Sequence, residues 1–236
     1  MLHWPFVVRL VIAVDGPSGA GEATAARAVA RSLGYRHGDT GARYRAVGWR
    51  ARQLGIALDD EAAVTAVAEA ARFDLDDGAI RIDGHDVTSA IRTPEMDKAA
   101  TLVARNAAVR TVLVARQRAL GAEGGVVMEG RDIGTVVFPQ AALKIYLDAS
   151  PEERARRRAA DPAHTSGRIA AVAEVAVDLA ARDKADSTRS VAPLMKADDA
   201  VYIDTTGIPI DDVVGRVLAL ARERAGARGS GPGSRD

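Results

Sequence analysis

Short apolar runs alternate with helical stripes along most of this chain. The run Val11-Ile12-Ala13-Val14, within Arg9–Val14, predicts a buried first strand. The Ala-rich stretch from Glu22 to Leu33 predicts a helix, followed by a short strand at 34–37 and a helix from Gly41 to Leu54. Ala62–Ala71, Thr93–Arg105 and Val109–Leu120 read as further helices. Gly125–Glu129 and Leu143–Leu147 predict two more buried strands. Pro151 opens a very basic helix, Asp161–Gly167 reads as a loop, and a long helix covers about Arg168–Asp183. Ala200–Ile203 and Asp211–Arg224 predict a last strand and a last helix. Strands alternating with helices favour a parallel sheet covered by helices.

Residues 73–87 break that rhythm. Phe73-Asp74-Leu75, Ala79–Ile82 and His85-Asp86-Val87 are separated by Asp77-Gly78 and Asp83-Gly84, the pattern of a small antiparallel meander. It reads as a lobe inserted in an α/β domain. The expected organisation is one domain over 1–225, with an insert lobe at about 60–105 and a lid at about 154–189. The Gly/Ser/Arg-rich stretch 226–236 reads as a disordered tail.

Composition narrows the chemistry. Lys+Arg and Asp+Glu are equal at 32 each, so no global charge favours nucleic acid or a membrane surface. The basic charge is almost all arginine, lysine standing only at Lys98, Lys144, Lys184 and Lys196, so phosphate binding must rely on guanidinium forks. With no cysteine there are no disulfides and no thiolate metal sites. The start, Met1 to Val14, is short, carries Arg9 and lacks a small-residue cleavage pattern, so it reads as a tail leading into a strand. No stretch of 18 apolar residues occurs, and a cytoplasmic protein is expected.

Four segments carry candidate chemistry. Gly16-Pro17-Ser18-Gly19-Ala20-Gly21-Glu22-Ala23-Thr24 lies between the first strand and the first helix. A glycine loop there lets backbone N–H groups cradle a phosphate at a positive helix end, and the Thr24 hydroxyl suits a phosphate-bound Mg²⁺. The lysine that such loops carry ahead of Ser/Thr is Glu22 here. Asp39-Thr40-Gly41-Ala42-Arg43-Tyr44-Arg45 opens a helix with a hydroxyl, an aromatic ring and a guanidinium near its start, which suits a base and a phosphate; a capped helix with a solvated Arg is the simpler alternative. Glu129-Gly130-Arg131-Asp132 ends a strand where α/β sheets bind ligands, so Arg131 is a candidate for phosphate and Asp132 for substrate or metal. Arg154–Arg158 and Arg182–Arg189 are either solvated helix faces or the arginines of a lid that closes on a nucleotide. The four histidines show no metal spacing.

Taken together, these segments resemble bacterial cytidylate kinases, of the nucleoside monophosphate kinase group of P-loop proteins. The likeness runs from about Leu10 to Ala225. Besides the segments above, it rests on Ile91-Arg92-Thr93, on Gly130 through Pro139, on Lys144 through Ser150, on Glu153 through Arg158 and on Arg182 through Pro193. The resemblance implies a P-loop NTPase-like α/β fold, and a monomer that transfers phosphate from ATP, with Mg²⁺, to CMP or dCMP in pyrimidine nucleotide metabolism. It implies ATP binding by Gly16, Pro17, Ser18, Gly19, Ala20, Gly21, Glu22, Ala23 and Thr24. Substrate binding would fall to Thr40, Tyr44, Arg45, Arg92, Arg131, Asp132, Asp186 and Arg189. Catalytic roles would fall to Asp132, Arg131, Arg157 and Arg158, the last two as lid arginines facing the transferring phosphate.

Three positions depart from the family pattern: Glu22 replaces the loop lysine, Ala23 a glycine, and Arg43 a usually apolar residue. At 4 Å each unit-charge interaction is worth about 1 kcal/mol in water and about 4 at an effective dielectric of 20. Exchanging an attraction for a repulsion is therefore expected to slow catalysis by orders of magnitude. Arg43 compensates only if it reaches across from the substrate-side helix; Glu22 as a metal ligand is another alternative. Two functions remain open: a CMP kinase slowed by Glu22, and a nucleotide-binding protein that keeps CMP binding without catalysis.

Overall fold

The computed structural model describes residues 9–76, 78–161 and 171–229. In chain order they form β1 (Val11–Asp15), α1 (Glu22–Leu33), β2 (Arg36–Asp39), α2 (Thr40–Gln53) and α3 (Glu61–Ala70). Then come β3 (Phe73–Asp76), β4 (Ala79–Ile82), β5 (His85–Asp86), α4 (Pro94–Val103) and α5 (Ala107–Gly121). After β6 (Val126–Gly130), a π turn at Ile133–Val137 leads to β7 (Leu143–Asp148) and α6 (Pro151–Ala159). α7 (Val172–Thr188), β8 (Val201–Asp204) and α8 (Ile210–Gly229) complete the described fold.

The apolar run ahead of the glycine loop becomes the central strand of a parallel sheet ordered β2-β6-β1-β7-β8. All five residues of β6 and four of the five in β1 are buried, as a parallel sheet with covered faces requires. Leu10, Ile12, Val14, Val29, Leu143, Ile145, Leu147, Ile203 and Val217 form the core between this sheet, α1 and α8. The meander at 73–87 is a three-stranded antiparallel sheet, β3-β4-β5. Its apolar face, Ile80 and Ile82 with Val87 and Ile91, packs on Ala42 and Ala46 of α2, so the insert is seated on the helix that follows β2.

Most helix limits follow from local caps. Asp39 accepts from the N–H of Ala42, Thr93 and Ser150 cap α4 and α6 ahead of Pro94 and Pro151, and Gly34 closes α1 at φ +65°. Two helices overrun their expected ends. α7 continues to Thr188, which puts Asp186 on a helix. α8 continues to Gly229, past the Gly226 at which a disordered tail was expected. Residues 230–236 of that tail, most of the Asp161–Gly167 loop and part of the lid lie outside the described residues.

Asp15, the last residue of β1, pins the π turn to the sheet. One carboxylate oxygen accepts from the N–H of Ile133 and the other from Gly134, each at 2.7 Å. Burial pushes this carboxyl up to about 7, against the pull of the two amide donors. In the unfolded chain the same group titrates at about 4. Between those values the native state holds a proton that the unfolded chain has lost, so stability from this group falls as pH rises, then levels off above about 7. Asp15→Asn is expected to lower stability overall and to remove this slope, at most about 1.4 kcal/mol per pH unit. Urea unfolding of both proteins at several pH values between about 4.5 and 8 measures it. A stability difference that stays flat across the window would show that Asp15 is ionised throughout.

Candidate active site

The glycine loop leaves β1 and enters α1 as expected. Gly19 and Gly21 sit at φ +84° and +97°. At Gly19 a Cβ would lie 3.0 Å from the carbonyl oxygen of Arg154, so both backbone and space require glycine. No side chain caps α1, which leaves its first-turn amides available to an anion. On one side of the loop is a cavity of about 340 Å³ lined by residues 19–24, Arg157, Arg158, Thr205 and the apolar side chains Ile208, Ile210 and Val213. Arg157 is held at its wall by bonds to the Thr205 hydroxyl (2.9 Å) and carbonyl (2.6 Å) and by an ion pair with Glu153 (2.7 Å).

On the other side of the loop lies an arginine-rich cleft of about 110 Å³. It is narrow because its charged groups pair across it. Asp132 pairs with Arg110 and stands 3.3 Å from Arg189. Asp39 stands 3.6 Å from Arg45 and 3.9 Å from Arg92. Arg158 of α6 and Arg182 of α7 both reach Asp97 on α4, Arg182 at 3.1 Å. Tyr44 lies beneath the Arg110 guanidinium, 5.8 Å from ring centre, and burial pushes its phenol up to about 12, so it is a neutral donor. Thr40 donates to the carbonyl of Glu129 at 2.8 Å, tying the start of α2 to the end of β6.

Arg131 joins the two halves. Its guanidinium donates to Ser18 Oγ (2.6 Å) and Glu22 Oε1 (3.0 Å) in the loop and to Asp186 Oδ2 (3.2 Å) on α7. Burial alone would lower its pKa; Glu22, Asp186 and Glu129 outweigh that and raise it, so it stays charged. Neighbouring Glu129 is raised well above the carboxylate range by burial first, then by Asp39 and Glu22. Glu22 therefore adds a third carboxylate to a crowded acidic corner, and Arg131 is the cation that meets it.

The structure gathers Thr40, Tyr44, Arg45, Arg92, Arg131, Asp132, Asp186 and Arg189 around the cleft, and Arg157 around the loop cavity. Gly19, Glu22, Ala23 and Arg158 line both spaces. Thr24 is exposed and lines the loop cavity. Arg43 does not reach across: it stacks on Phe73, 5.4 Å from the ring centre, and the compensating guanidinium is Arg131. One carboxylate oxygen of Glu22 is engaged by Arg131, and no group of three or more His or acidic residues suited to a metal occurs among the described residues. The loop cavity offers the Thr24 hydroxyl beside the carboxylates of Glu22 and Asp161, a set of hard oxygen donors that would suit a Mg²⁺ ion held chiefly by nucleotide phosphates.

Sequence reasoning missed Arg110, Thr101 and the hub Asp97. Arg110 had a local signal. It shares a helical face with Val109, Leu113, Val114 and Gln117, all buried, and a charge on such a stripe needs a buried partner. Asp97 had none, because its partners come from α2, α6 and α7.

A family model described as cytidylate kinase matches residues 12–223. A cytidylate kinase from Desulfitobacterium hafniense (strain Y51) is 47% identical over 218 residues, covering 91% of this chain and 94% of that protein. A bifunctional pantoate ligase/cytidylate kinase from Prochlorococcus marinus (strain MIT 9313) is 45% identical over 217 residues, covering 90% of this chain and 43% of that longer protein. Among solved structures, an uncharacterized protein from Eubacterium ventriosum ATCC 27560 superposes with a TM-score of 0.51 at 12% identity, covering 91% of this chain and 99% of that one, a likeness of fold alone.

Proposed function

The chain belongs to the cytidylate kinase family, and we propose that it transfers the γ-phosphoryl group of ATP to CMP and dCMP, giving the diphosphates and ADP in pyrimidine nucleotide metabolism. The observation that carries this reading is Arg131, whose one guanidinium touches both the phosphate loop and the acceptor-side cleft. The alternative, a nucleotide-binding module without catalysis, has no support in the relatives. All the residues assigned below lie in one chain, which is compatible with an enzyme that works as a monomer, in the cytoplasm where both nucleotides are present.

In this reading ATP lies along the loop cavity, its phosphates on backbone N–H groups of the loop at 16–24 other than Pro17. CMP occupies the cleft, with Thr40, Tyr44, Arg45, Arg92, Asp186 and Arg189 holding base, sugar and phosphate. An oxygen of the CMP phosphate attacks the γ-phosphorus, the bond to the β–γ bridging oxygen breaks, and ADP leaves. Such a transfer depends on in-line positioning and on neutralising the equatorial oxygens. Arg131, Arg157 and Arg158 supply that charge, and Asp132 holds Arg110 and Arg189 in place. The Thr24 hydroxyl would hold a nucleotide-bound Mg²⁺, which would supply further neutralisation of phosphate charge.

Glu22 works against this chemistry. It repels the phosphates and claims part of Arg131. Glu22→Lys is expected to raise kcat with CMP and ATP-Mg by about tenfold to a hundredfold, read by coupled ADP release. Equal turnover would show that Arg131 already supplies the missing cation. If neither protein releases ADP with CMP while both are folded, the proposed activity is wrong. Arg189→Met is expected to raise KM for CMP about tenfold or more, leaving KM for ATP within about twofold. A matching rise in both constants would remove Arg189 from the CMP side.

A further inference from the structure

Beyond the outer edge of β2 lies a second cavity, of about 690 Å³, within the size range of small-molecule sites. α1, β2, α2 and the antiparallel sheet wall it. It shares Asp39 and Arg92 with the acceptor cleft and contains no residue of the phosphate loop.

Its lining is strongly basic. Arg27, Arg31, Arg36, Arg43 and Arg92 face two acids, Asp39 and Asp74. Both acids are engaged elsewhere. Asp39 accepts from the N–H of Ala42 at 2.7 Å and lies between Arg45 and Arg92. Asp74 pairs with Arg81 at 3.2 Å. Arg36 spends its guanidinium on the carbonyl of Leu120, at 2.6 Å. Arg27, Arg31 and Arg43 make no ion pair among the described residues.

Arg43 is the informative member. It is only 6% exposed, and its Nε is buried without a hydrogen-bond partner. Its neighbours are the Phe73 ring and, on the same ring at 5.5 Å, the cation of Arg116. Burial and the Arg116 charge pull the guanidinium down to about 10 against the attraction of Asp39, so it remains protonated at neutral pH with no ion pair of its own among the described residues. A charge buried in that way is costly unless something anionic completes it.

We propose that this cavity binds a multiply charged phosphate-bearing anion, with Arg43 as the buried anchor and Arg27 and Arg31 of α1 as the outer clamp. Guanidinium forks on more than one wall suit an oxyanion with acceptors on several sides. The volume exceeds that of a single phosphate, which favours a polyphosphate or an organic phosphate.

Calorimetric titration of inorganic tripolyphosphate into the full chain tests this, with Arg43→Met, the double variant Arg27→Ala/Arg31→Ala, and Arg158→Ala as comparisons. Two binding events are expected. One belongs to the phosphate loop and weakens in Arg158→Ala. The other belongs to the cavity, persists in Arg158→Ala, and weakens about tenfold or more in Arg43→Met and in the double variant. Arg27 and Arg31 are exposed on α1, so the double variant decides the matter if Arg43→Met fails to fold. Binding that both cavity variants leave within about twofold of the parent protein overturns the proposal.

Discussion

Arg131 is the contact on which the rest of the site depends. Three segments that are distant in sequence end at its guanidinium: the loop through Ser18 and Glu22, the end of β6 through its own backbone, and α7 through Asp186. Asp15 makes this possible by fixing the turn just after Arg131 with two backbone bonds. A parallel sheet delivers strand ends to one edge, but it does not align their side chains. Here a buried carboxylate and a half-buried guanidinium align them, and each is surrounded by partners that make it costly to displace.

The same logic spreads outwards. Arg110 and Arg189 are held by Asp132, Arg45 and Arg92 stand close to Asp39, and Arg158 and Arg182 meet on Asp97. Guanidinium groups paired in this way keep their charge and a fixed direction, which is what a phosphate needs from them. The pairing also ties three elements together, because Asp97 lies on α4 while Arg158 lies on α6 and Arg182 on α7.

Much of this was legible in the chain. The strand–loop–helix context of residues 11–33 and the turn dipeptides of the meander are local signals, and both became the elements they predict. Asp132, Arg131 and Thr40 stood out because polar residues closing buried strands or opening helices have few structural reasons to be there. What could not be read was pairing across the fold. Asp97 lies in an ordinary helix start, and nothing nearby reveals its arginine partners. Arg43 sits in the same heptapeptide as Tyr44 and Arg45, yet helical rotation carries it away from the cleft and onto Phe73. Helix ends at Thr188 and Gly229 were also missed: no glycine or proline immediately follows Asp183, and α8 runs straight through the Gly226 at which the tail was expected to begin.

Glu22 gains its meaning from this geometry rather than from the loop alone. In isolation it only subtracts a lysine. In the folded chain it takes a share of Arg131, and that arginine also faces the acceptor cleft. In the function proposed above, Glu22 would act on both substrates at once: it would weaken the field at the ATP phosphates directly, and compete with the CMP phosphate for a shared guanidinium. A cation borrowed from β6 also differs from one carried by the loop. Lysine swings on a flexible stem and follows the phosphate, whereas Arg131 is fixed by Ser18 and Asp186 and cannot. Charge at this corner can be balanced by Arg131, but its mobility cannot, and transfer between two bound nucleotides depends on both.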